Sequence, residues 1–165
     1  MLAKPGIICY FYIVIRFISE VHMDPYKNNM FKENPYAEKT VVEGRLCVIL
    51  RGRIERRGLI LIPQPSRCFR AGDVHELIIC DEEGAKPGTE ANRIAYLGFV
   101  DITRGGVVIA GDEIYCGDKL IGTVAGFDEA HMPNHINIVL YNPERQTGVE
   151  LGVELDSPVK FIQKQ

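Results

Sequence analysis

Gly111 to Tyr141 reads GDEIYCGDKLIGTVAGFDEAHMPNHINIVLY, and this stretch decides the fold class. Two Gly-Asp pairs, Gly111-Asp112 and Gly117-Asp118, punctuate short apolar runs. Glycine tolerates positive φ and aspartate bonds nearby backbone amides, so each pair marks a tight turn. Between the turns the pattern has period two. Leu120 and Val124 oppose Lys119 and Thr123, and Ile136, Ile138 and Leu140 oppose Asn137, Val139 and Tyr141. Strand, turn, strand at this spacing predicts β-structure that closes on itself.

The same pattern extends in both directions. Val42, Leu46, Val48 and Leu50 alternate with Glu43, Arg45 and Cys47, which predicts a first strand of about ten residues. Leu59–Ile62 is apolar on consecutive positions, as in a strand covered on both faces, and Pro63 and Pro65 end it. Ser66 to Ala71 reads as a connection, and Val74–Cys80 as a third strand. Asp81 to Asn92 is an acidic break, after which Ile94–Ile102 resumes strand character with Gly98 at a bulge or close approach. Thr103-Arg104-Gly105-Gly106 reads as a hairpin turn, after which Val107–Ala110 pairs back. Val149, Leu151, Val153 and Leu155 alternate with Glu150, Gly152 and Glu154, which predicts a half-buried strand, and Val159–Ile162 closes the sheet. No segment keeps a 3.6 period over three turns, though Phe127 to His131 could form one helical turn before Pro133. The expectation is an all-β fold: a single small, closed or partly open β-barrel of about eight or nine short strands.

The 165 residues suit one domain, with a net charge of -3 that steers the protein neither to nucleic acid nor to a membrane surface. Residues 1–22 form an apolar N-terminal extension: Gly6–Val21 is interrupted by Arg16 and is too short for a stable membrane span. The favoured reading starts the working protein at Met23, with a membrane-peripheral anchor as the alternative. Residues 23–39 read as a polar arm and residues 40–165 as the barrel domain. Five cysteines, Cys9, Cys47, Cys68, Cys80 and Cys116, show no CxxC pairing, which suits a reducing cytoplasm. Cys47, Cys80 and Cys116 sit in or beside apolar runs and are expected as small buried hydrophobes.

The candidate chemistry lies in one loop. His131 and His135, in EAHMPNHI, have a helical metal-ligand spacing, but Pro133 argues against a continuous helix. On an extended strand the pair would stand about 13 Å apart. Only a turn at Met132-Pro133-Asn134 brings them together. Asp128 and Glu129 are near enough to join such a site, and His75 is a possible third partner from elsewhere in the chain. Against this stands the plain reading of an exposed polar loop. The basic run Arg51, Arg53, Arg56 and Arg57 is interrupted by Glu55 and has no interleaved aromatic, so a solvated hairpin is favoured over an anion patch.

The phrase AGDEIYCGDKLIGTV, Ala110–Val124, resembles the turn-rich repeat of biotinyl and lipoyl carrier barrels. Those carriers need a modifiable lysine at a hairpin tip, and no lysine lies between Lys119 and Lys160. Gly98–Tyr141 followed by SPVKF is similar to the glucitol/sorbitol-specific enzyme IIA component of the sugar phosphotransferase system. That resemblance implies a barrel with a phosphorylatable histidine in the strand matching about Ile94 to Val100, where this sequence reads IAYLGFV. The overall character also resembles small uncharacterised bacterial barrel proteins grouped as domains of unknown function.

Three functions follow as expectations. The first is a cytoplasmic, non-catalytic barrel that binds a small molecule or partner through Asp128, Glu129, His131, His135 and His75, with a homo-oligomer favoured by exposed strand edges. The second is a regulatory protein like those of the phosphotransferase system, with a displaced phosphohistidine at His75, His131 or His135. The third is a metal-dependent enzyme that uses the His131/His135 loop.

Overall fold

The structure is a computed structural model that describes residues 24–164; the expectations for residues 1–22, Met23 and Cys9 lie outside the described residues. Internal contacts divide the chain between Glu33 and Asn34. In the first unit, Asp24 Oδ1 accepts the amides of Tyr26 and Lys27, both at 2.9 Å, and closes a local turn.

The second unit is built from twelve strands and one short helix. The strands are β1 (Val42–Ile49), β2 (Arg53–Ile54), β3 (Leu59–Ile60), β4 (Ser66–Phe69), β5 (Val74–Cys80), β6 (Glu90–Ala91), β7 (Ile94–Arg104), β8 (Gly106–Ile109), β9 (Glu113–Cys116), β10 (Lys119–Asp128), β11 (Asn137–Tyr141) and β12 (Pro158–Ile162). Helix α1 spans Gly148–Leu151. Seven strands form a closed ring in the order β1-β12-β9-β10-β11-β5-β7, with β7 returning to β1. Every neighbour in the ring is antiparallel except β11 and β5, which run parallel. Closure leaves the ring strands no free edge. The all-β, closed sheet read from the alternation is what the chain adopts. No helix among the described residues is long and apolar enough to cross a membrane.

Two apolar clusters follow from the pleat. One gathers residues of all seven ring strands, among them Leu46, Leu77, Val100, Ile114, Phe127, Ile138 and Phe161, and so fills the ring. The other holds Ile78, Cys80, Ile94, Ala125 and Val139 on the outer face, covered by Leu59 and Leu61. Strand β5 is therefore buried on both faces. Period-two alternation sends His75, Leu77 and Ile79 inward, and Glu76, Ile78 and Cys80 outward. Gly98 lies where β1 crowds β7: a Cβ there would stand 2.0 Å from the Val48 carbonyl oxygen, the close approach anticipated at this glycine.

Several local expectations are corrected. Val149 to Leu155 is not a strand. Thr147 accepts from the Glu150 amide while Glu150 returns a bond to the Thr147 amide, and this capping box starts α1. Gly152, at φ 66°, then ends it in the left-handed conformation. Ser66–Phe69, read as a connection, pairs with Gly106–Ile109 as β4 with β8, so the segment after Gly105 joins β4 and does not pair back onto β7 as a hairpin. Leu59–Ile62 keeps only two strand residues, and Ile60 is exposed rather than doubly covered. Within the acidic break, Glu90–Ala91 pairs with β3 and anchors it through the fully buried Ala91. Phe127 and Asp128 end β10 rather than opening a helical turn. Cys80 and Cys116 are buried as expected, but Cys47 is exposed because it alternates to the solvent face of β1.

Candidate metal centre

The parallel pairing of β11 with β5 builds the site. Its register places Asn137 beside Glu76, and residues paired in this way share a face of the sheet. The Glu76 amide donates to the Ile136 carbonyl at 3.1 Å, which locks the start of β11 onto the start of β5. Between β10 and β11 the chain must turn back within a few residues. It does so through a loop in which the amides of Asn134 and His135 donate to the His131 carbonyl, at 2.9 and 3.4 Å, across a cis Met132–Pro133 bond. His135 is thereby folded over His131. The turn at Met132-Pro133-Asn134 that convergence demanded is present.

Three donor atoms meet there. His131 Nδ1 lies 3.0 Å from His135 Nε2, and Glu76 Oε2 lies 3.7 Å from His135 Nε2 and 3.9 Å from His131 Nδ1. All three fall within 4.8 Å of one another, in a geometry able to hold a metal ion. Donors around a first-row cation at about 2.0–2.1 Å stand about 3.0–3.4 Å apart, so a small contraction of the carboxylate completes the set. Asn137 Oδ1 is the next oxygen, 3.2 Å from His131 Nδ1. Asp128 fixes its orientation by accepting from Asn137 Nδ2 at 2.8 Å. Asp128 is itself held by the amides of Ile60 and Ala130, at 3.0 and 3.1 Å.

The electrostatics fit a cation. Glu76 Oε2 is buried and accepts no hydrogen bond among the described residues. Desolvation raises the Glu76 pKa from the ordinary carboxylate value, and His131 and Arg57 oppose that rise. Burial, then the neighbouring His131, lower the pKa of His135, which favours the neutral imidazole that a cation requires. The side chains grade from 8% exposed at Glu76 through 12% at His135 to 40% at His131, so the cluster reaches water past His131.

The other sequence candidates lie apart from the cluster. His75 is turned to the inner face, where its ring centroid lies 4.3 Å from that of Phe69, tilted by 40°, and its Nδ1 accepts from the Ile136 amide at 3.3 Å. Glu129 pairs with Arg67 and is not among the three donors. Asp128 supports Asn137 and is likewise not one of the three donors. Glu76 and Asn137 were not anticipated as site residues. The available signal was a carboxylate inside the apolar run VHELIIC, since a buried, unpaired charge is rare without a role.

No curated protein and no solved structure matches the chain. Residues 36–162, which span the ring and the whole donor cluster, match the family described as a family of unknown function, DUF6917. The chain belongs to that family.

Proposed function

We propose that this protein binds a first-row divalent cation of the Zn2+ or Fe2+ kind through Glu76, His131 and His135. The observation that carries the reading is Glu76 Oε2, a buried oxygen without a hydrogen bond among the described residues that faces two imidazole nitrogens. An ionised carboxylate left in this state is costly unless a positive charge joins it. Two imidazoles and one carboxylate are the ligands of catalytic rather than closed structural sites, and they leave a coordination position for water or a small molecule. Imidazole ligands disfavour Ca2+ and Mg2+, which take oxygen. The reading therefore joins the expected small-ligand barrel to the metal-dependent alternative: the cation supplies the charge, and the open position supplies the binding.

Phosphotransfer is the weaker reading. A phosphoryl group on His131 or His135 would meet the Glu76 carboxylate at close range, and like charges repel.

Equilibrium dialysis of the metal-stripped full chain against Zn2+, read by elemental mass spectrometry, tests the proposal. One ion per chain is expected, lost together in His131→Ala, His135→Ala and Glu76→Gln. Stoichiometric binding that survives all three substitutions, or no binding by the wild type, would reject it.

A further inference from the structure

A second feature lies on the other side of β5. At the end of the ring where β5 and β11 begin, a cavity of about 750 Å3 opens between β4, the start of β5 and the Met132–Ile136 loop. That size is in the range of small-molecule sites. Its wall includes His135 but not Glu76 or His131, so it is separate from the three-donor cluster and shares one imidazole with it.

His75 is the decisive residue. Its side chain is 9% exposed and lines this cavity. The Ile136 amide donates to Nδ1, so Nδ1 carries no hydrogen and the proton sits on Nε2. That Nε2–H is buried and has no hydrogen-bond partner among the described residues, and the nearest carboxylate oxygen, Asp73 Oδ2, is 4.0 Å away. Arg67 lines the same cavity, and its buried Nε–H is also without a hydrogen-bond partner. Two orphaned donors in the lining of one cavity ask for an acceptor from outside the chain, because a buried donor left unsatisfied loses the hydrogen bond it makes to water when unfolded.

Arg67 pairs with Glu129 through its outer nitrogen, which leaves Nε–H as the unused donor, and Asp73 Oδ2 accepts the Arg70 amide at 2.7 Å. Phe99, edge-on to His135, supplies apolar surface to the cavity wall, while Phe69 is buried behind His75. We propose that the cavity is a binding site for a small carboxylate with an apolar body, the carboxylate received by His75 Nε2–H and Arg67 Nε–H and the body lying against Phe99. The site stands whether or not the neighbouring cluster holds a metal.

The test is calorimetric titration of the full chain with sodium benzoate, with benzyl alcohol as the uncharged control and inorganic phosphate as the anion without a body. Benzoate is expected to bind once per chain, and the other two at least about tenfold more weakly, since a hydrogen bond to a charged group is worth that much. His75→Phe keeps a ring against Phe69 and removes the donor. Arg67→Met alters a partly exposed side chain and serves if His75→Phe unfolds. Each folded variant should weaken benzoate at least about tenfold. Failure of benzoate to bind the wild type, equal binding of benzyl alcohol or phosphate, or unchanged affinity in the folded variants would overturn the proposal. His131→Ala should lose Zn2+ and keep benzoate; loss of both would overturn the separation of the two sites.

Discussion

Glu76 Oε2 stands 3.7 Å from His135 Nε2, close enough to share a cation and too far for a hydrogen bond. Each partner is held away from its comfortable state. Burial raises the pKa of the carboxyl and lowers that of the imidazole, so each shift disfavours the charged form and with it an ion pair between the two. A pair optimised for folding alone would close into an ion pair or be replaced by apolar groups.

Glu76→Gln is accordingly expected to stabilise the metal-free protein at neutral pH by about 1 kcal/mol while abolishing metal binding. The sign follows from linkage. With its folded pKa raised, Glu76 takes up a proton more readily in the folded state, so its ionised form weakens the fold above that pKa. As pH falls through the raised value towards the ordinary carboxyl range of about 4.3, the wild type regains this stability and the gap to the variant closes. His135 acts in the opposite sense: its pKa is lowered, so stability is lost as pH falls from about 6.5 towards the folded value. Urea unfolding in chelator at several pH values separates the two contributions. A Gln variant less stable than wild type at neutral pH would contradict the account.

Asn137 is fully buried between Asp128 and His131, and its Oδ1 accepts from His131 Nδ1–H while that nitrogen holds no metal. An amide oxygen cannot donate, so a cation on Nδ1 displaces this bond. Asn137→Ala should therefore keep the one-ion stoichiometry and leave Zn2+ affinity within about tenfold of the wild type, the worth of one hydrogen bond. Loss of Zn2+ binding in a folded variant would show that the amide oxygen is itself a ligand.

Lys39 Nζ meets Asp112 Oδ2 at 2.8 Å, with the two side chains 8% and 1% exposed. Asp112 also accepts the Ile109 amide at 2.9 Å, so it caps the turn while pinning the segment before β1. Lys39→Met leaves a buried carboxylate without its cation and should cost about 3–5 kcal/mol, whereas adding Asp112→Asn should recover part of the loss. Thermal unfolding of the two variants measures both. A single substitution that costs less than the double would be incompatible with a buried pair.

What the sequence displays depends on how local each cause is. Alternation in Ile136–Tyr141 and the Gly-Asp turns express contacts within a few residues, so the strands around them are readable. Val149–Leu155 also alternates, yet Thr147 and Glu150 form a capping box three residues apart, and that local bond outweighs the pattern. Two-residue strands such as Arg53–Ile54 and Glu90–Ala91 carry no periodicity at all. The histidine pair was visible in EAHMPNHI because a turn alone unites it. Glu76 joins it only through the parallel pairing of β11 with β5, a consequence of ring closure that no window of sequence contains. The orientation of His75 depends on the same closure, since the amide that fixes its tautomer belongs to Ile136.

The cysteines offer a check on which faces are inside. Burial pushes the Cys80 thiol up to about 11, and it raises that of Cys116 as well. Only the thiolate reacts with an alkylating agent, so both should resist modification in the folded chain for want of charge as well as access. Cys47 and Cys68 are exposed. The Cys47 thiol is also raised by burial and donates to the Phe99 carbonyl at 3.3 Å, so it should react more slowly than Cys68. A timed iodoacetamide pulse at mildly alkaline pH, mapped by peptide mass spectrometry, should therefore mark Cys68, then Cys47, and reach Cys80 and Cys116 only after denaturation. Early labelling of Cys80 would mean that the outer face of β5 is open, and with it the buried carboxylate two strand positions away from Ile78, on which the metal site depends.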